Sequence, residues 1–115
     1  MLFRSSFGYV PSDFIQIEDH IRNDEQMLQF YNPKTEKTIT LFSRRMDHTY
    51  AQTKHPFDDP VIEEATINHH QAIIINDEKT SATLIYWSID NYALELSSDA
   101  PKEDVVKFAE NISLK

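Results

Sequence analysis

A chain of 115 residues, 40% hydrophobic and 26% charged, has the size and make-up of one globular domain. Its 19 acidic residues against 11 basic ones leave a formal net charge of -8, a field that repels phosphate backbones. No basic cluster longer than Arg44-Arg45 offsets it, cysteine is absent, and Gly8 is the sole glycine, so nucleic-acid binding, thiol chemistry and glycine-rich phosphate loops are all disfavoured.

In chain order, "MLFRSSFG" lacks the apolar core of a signal peptide. Residues 1–8 read as a flexible N-terminal segment ahead of a single domain at 9–115. Alternation bounded by turn residues then predicts strands at 14–20, 25–31 and 37–43, with "RND" and "NPKTE" between them. The polar stretch 44–60, which carries two prolines, reads as a long loop. Four more strands follow at 61–67, 71–76, 81–88 and 92–98, joined by "NHH", "DEKT" and "IDN".

The last hairpin has a definite register. A tight turn at Asp90-Asn91 sets Ile89 opposite Tyr92, Trp87 opposite Leu94 and Ile85 opposite Leu96. Ile85, Trp87, Tyr92, Leu94 and Leu96 then share one apolar face. Ala93, Glu95 and Ser97 point away, and Leu84 and Tyr86 also lie on that opposite face. Past Asp99 and Pro101 the period changes: Val105, Phe108, Ala109 and Ile112 fall at helical spacing. The predicted fold is α+β: an antiparallel β-meander of about seven strands with one C-terminal helix packed on one face. No apolar run approaches the ~20 residues of a membrane span, so no direct membrane insertion by this chain is expected.

Few residues invite chemistry. His69 and His70 are adjacent, so on a strand they diverge, and two imidazoles alone do not close a zinc site. Glu63 and Glu64 lie across the predicted hairpin as candidate oxygen ligands, while His20, His48 and His55 are distant in sequence. "NHH" therefore reads as a hairpin turn, with no catalytic, cofactor or metal role assigned; a small hydrolase or metal-binding protein built on His69, His70 and nearby carboxylates is the lesser alternative. Asp58 and Asp59, with Glu63 and Glu64, read as a solvated acidic cluster around Pro60. A serine nucleophile would need an elbow for which there is no glycine.

From the "YVPSDF" opening onward, several motifs occur in a recognisable order: "INHHQAIIIN", "LIYW", "YALELSS" and "PKEDVVKFAENI". This order resembles the uncharacterised domain found at the C-terminal, extracytoplasmic ends of anti-sigma factors and small lipoproteins of Gram-positive bacteria. Pro11 and Phe14 match that family's opening, Ile67-Asn68 its turn and Trp87 its tryptophan strand. Leu96-Ser97 match the end of the next strand, and Lys102 to Ile112 the last helix. The likeness covers roughly residues 9–112, and its last third is the more specific. Asp13 and His69 stand where the family carries glycine, which marks 69 as a position of positive φ.

The resemblance implies a fold and a setting but no reaction. The expected function is a non-enzymatic extracytoplasmic sensor or interaction domain, tethered through an upstream segment, with a protein or envelope component as partner. A cytoplasmic location is the alternative, and the oligomeric state is open. The expected interaction surface combines Leu84 and Tyr86 on the outer sheet face with Arg44, Arg45, Asp58 and Asp59 of the loop. A carrier-like domain holding an apolar ligand near Leu84 and Tyr86 is the second reading.

Overall fold

The computed structural model describes residues 5–7, 14–22, 25–45, 60–89 and 92–114. The chain runs through β1 (Ser5–Phe7), β2 (Ile15–Arg22), β3 (Glu25–Asn32), β4 (Lys37–Arg45), β5 (Val61–Ile67), β6 (His70–Asp77), β7 (Ala82–Ile89) and β8 (Tyr92–Ser98). It ends with α1 (Lys102–Glu110) and β9 (Ile112–Leu114). Seven strands form one antiparallel sheet in the order β2-β3-β4-β8-β7-β6-β5. The predicted α+β meander with a C-terminal helix on one face is what the structure contains.

Two meanders are joined where β8 pairs with β4, Leu96 opposite Leu41 and Leu94 opposite Ser43. That long-range pairing could not be read from local pattern. The predicted register of the last hairpin holds in full: Ile89 faces Tyr92, Trp87 faces Leu94 and Ile85 faces Leu96. Its Asp90-Asn91 turn lies outside the described residues, as do positions 46–59 of the predicted loop.

The inner face carries Leu28, Phe30, Ile39, Leu41, Ile85, Leu94 and Leu96, all buried with Val105, Phe108 and Ala109 of α1. Alternation puts these residues on one side of the sheet, and the helix covers them. Phe30 and Phe108 meet edge to face with ring centroids 5.4 Å apart. The helix is held at both ends against the β5–β6 hairpin. Lys102 forms an ion pair with Glu63 in its first turn, and Asn68 Nδ2 donates to the Glu110 carbonyl at 2.6 Å in its last.

Two details differ from the sequence expectation. First, α1 stops at Glu110, so Ile112 is buried as a strand residue and not on a helix stripe. Asn111 closes the helix by donating from Nδ2 to the Lys107 carbonyl at 2.8 Å. At the other end, Pro101 occupies the N-cap, and Asp99 Oδ1 accepts from the Thr38 amide at 2.9 Å. Second, residues 5–7, which the sequence places in the lead segment, pair with β9, Phe7 opposite Ile112.

The turns run without glycine. Glu36, Asn68, His69 and Ser81 have φ of 60°, 50°, 72° and 60°. The Lys34 amide donates to Asn32 Oδ1 at 2.9 Å, and the Glu36 amide to the Asn32 carbonyl at 2.8 Å. Asn32 is buried because its side chain serves as the turn's acceptor.

Candidate binding groove

Strand parity sorts the outer face into rows. One row crosses six strands as Gln29, Thr40, Ser97, Leu84, Ile75 and Ile62. Its first half carries an amide and two hydroxyls, and its second half is aliphatic. At the polar half, beside the β7–β8 ends, the surface dips into an open groove of about 430 Å³. Gln29, Thr38, Thr40, Ser97 and Asp99 supply its polar wall, Ala82 and Leu84 its apolar one.

These polar groups are positioned by backbone as much as by each other. Gln29 Nε2 donates to Thr40 Oγ1 at 3.3 Å, which leaves the threonine hydroxyl hydrogen for a ligand. Asp99 is fixed by the Thr38 amide, and Ser98 Oγ, which donates to the Thr38 carbonyl at 2.7 Å, also accepts from the Ala100 amide at 2.9 Å. The β8–α1 corner is therefore locked where it borders the groove. A second hollow of about 390 Å³ shares Asp99 and lies at the start of α1. Its Lys37 and Lys102 are balanced by Glu78 and Asp99, and Lys102 is committed to Glu63, so it concentrates no charge of one sign.

Among the described residues singled out from sequence, Leu84 lies in the row through Ser97 and Thr40, and Arg44 stands four positions further along β4. Leu84 lines the groove and is half-buried, whereas Tyr86 is only 9% exposed and offers no open aromatic surface. Arg44 is exposed at the far end of β4, and Arg45 is its last residue. Asp58, Asp59, His48 and His55 lie outside the described residues.

His69 sits exposed in the two-residue β5–β6 turn, and His70 begins β6. The expected positive φ at 69 is present, at 72°. Glu64 pairs with Ile73, three positions from His70, about 10 Å along the strand at roughly 3.4 Å per residue. Glu63 belongs to the inner face and to Lys102. Among the described residues no three His, Cys, Asp or Glu side chains are grouped to hold a metal ion.

Sequence reasoning assigned Ser97 to the outer face but missed the groove. Thr38 and Thr40 alternate with the buried Ile39 and Leu41, so their outward direction was readable. Their meeting with Ser97 depends on the β4–β8 pairing, which was not.

The family model described as "Domain of unknown function (DUF4367)" matches residues 5–112. The chain belongs to the DUF4367 family. That match starts at Ser5 and ends at Ile112, so this DUF4367 domain takes in all of β1 but only the first residue of β9, and of their ladder the Phe7–Ile112 pair. No curated protein and no solved structure matches the chain.

Proposed function

We propose that this DUF4367 domain is a non-enzymatic sensor or interaction domain that works outside a Gram-positive cell. In this reading it belongs to an anti-sigma factor or lipoprotein tethered through an upstream segment, and it binds a sugar segment of an envelope polymer in the outer-face groove. The resemblance of the opening, turn, tryptophan strand and final helix supports the setting. The groove supports the ligand class: an amide, a carboxylate and hydroxyls spaced by the strand lattice suit a chain of hydroxyls. The threonine methyl groups and Leu84 give apolar contact to sugar ring faces.

The observation that carries the reading is the row Gln29, Thr40, Ser97 and Leu84, polar along one half and apolar beyond. An apolar carrier finds less support, because the groove is open and Gln29, Thr38, Thr40, Ser97 and Asp99 place polar groups along its wall. Isothermal titration with soluble N-acetylated amino-sugar oligosaccharides tests it. Binding weakened by roughly tenfold in Thr40→Val and in Ser97→Ala is expected, the scale of one lost ligand hydrogen bond. Absence of binding to these sugars, or binding indifferent to both substitutions, contradicts it.

A further inference from the structure

The two edges of the sheet are unlike. On β2 the register slips between Gln16 and Glu18, a bulge that breaks the ladder at one edge. On β5 all seven residues stay in register with β6, from Val61 opposite Asn76 to Ile67 opposite His70. Among the described residues no strand pairs with the outer side of β5. Val61 and Ile62 are 51% and 57% exposed, and Glu63, Glu64 and Thr66 are exposed with them.

The direction of the unpaired backbone groups follows from the turn. Ile67 and His70 flank a two-residue turn with positive φ at both positions, and such a flanking pair exchanges both backbone hydrogen bonds. Counting back by twos, Val61, Glu63 and Ala65 turn their N–H and C=O groups to β6. Those of Ile62, Glu64 and Thr66 point outward, three donors and three acceptors in strand spacing.

We propose that β5 is a strand-addition site for an extended segment of a partner protein carrying two adjacent basic residues followed by two β-branched ones. The proposal rests on the interaction-domain reading and adds a protein partner to it. An antiparallel added strand sets one residue opposite each β5 residue on alternating faces. Opposite Thr66, Ala65, Glu64, Glu63, Ile62 and Val61, the complementary order is Thr-Thr-Lys-Lys-Val-Val. The two carboxylates lie on opposite faces, so the basic residues must be neighbours. Glu63 already meets Lys102 and Glu64 has no ion pair among the described residues, which makes Glu64 the stronger selector. A second copy of this chain is a poor occupant: paired antiparallel about Glu64 it sets Glu64 against Glu64, on molecules of formal net charge -8.

The test is a titration of isotope-labelled protein with an acetylated, amidated peptide containing Thr-Thr-Lys-Lys-Val-Val, read by amide chemical shifts and by peptide fluorescence anisotropy. Saturable binding is expected, with the largest shifts at the amides of Ile62, Glu64 and Thr66. Glu64→Pro, tolerated at an edge because its N–H faces outward, is expected to weaken binding by roughly tenfold, and Glu64→Lys by at least as much. A Lys-Lys to Glu-Glu peptide is expected not to bind. Shifts confined to another surface, binding unchanged in Glu64→Lys, or a protein that is dimeric before peptide is added would overturn the proposal. Thr40→Val is expected to leave peptide binding intact, and Glu64→Lys to leave sugar binding intact, so failure at the edge and failure at the groove are separable.

Discussion

At the scale of single residues, this chain makes its turns with side chains where glycine would fit more easily. Glu36, His69 and Ser81 each hold positive φ, and a β-carbon there costs on the order of 1 kcal/mol relative to glycine. His69→Gly is therefore expected to change unfolding free energy by less than about 1 kcal/mol or to raise it, as measured by urea denaturation. A zinc- or nickel-dependent rise in melting temperature, lost in the His69→Ala/His70→Ala double variant, would contradict the turn assignment and restore the metal reading. Trp87 is the other telling residue. It is 5% exposed, and its indole Nε1 has no hydrogen-bond partner among the described residues. Trp87→Phe removes an unsatisfied donor together with ring area, two effects of opposite sign and each about 1–3 kcal/mol. The expected net loss is under about 1.5 kcal/mol; a loss above 3 kcal/mol would show that the indole N–H is satisfied in solution.

At the scale of elements, the helix is pinned through contacts of unequal worth. Phe108 is fully buried and stacks edge to face on Phe30, so Phe108→Ala is expected to cost about 3–5 kcal/mol. Lys102→Ala is expected to cost less than about 1 kcal/mol, because its ion pair with Glu63 is roughly two-fifths exposed on both sides. Comparable losses in the two variants would contradict the packing described for α1. The elements were legible in the sequence wherever side-chain period did the work. Alternation located the strands of the sheet, and parity alone gave the register of the last hairpin. The helix stripe was found, but its end was not. Ile112 satisfies both a helical and a strand pattern, and only its pairing with Phe7 decides between them. Asp99 marks the helix start in sequence, yet its carboxylate serves the Thr38 amide, 61 residues away, a link that no local pattern shows.

At the scale of the molecule, one side of the seven-stranded sheet packs on α1, and the groove lies at one end of the other side, where Leu84 and Ser97 are half-buried while Ile75, Tyr86 and Ala93 are buried. The groove was illegible in the sequence because its walls come from β3, β4, β7 and β8, and the β4–β8 junction that unites them leaves no local trace. Removing everything after Ala100 takes away α1 and β9 together, uncovers Trp87, Leu94 and Leu96, and dissolves the β1–β9 ladder. Each buried side chain lost is worth about 1.5–3 kcal/mol, so the truncated chain is expected to give no cooperative unfolding transition by circular dichroism. A transition near the parent's midpoint would mean that the sheet stands without its helix. The central claim, a binding module with its sugar site on the outer face, is tested most directly by an amide chemical-shift titration with an N-acetylated amino-sugar tetrasaccharide. Saturable shifts are expected, concentrated at Gln29, Thr38, Thr40, Leu84, Ser97 and Asp99, with the amides of α1 unmoved. Shifts absent at the groove, or gathered instead around His69 and His70, would contradict it.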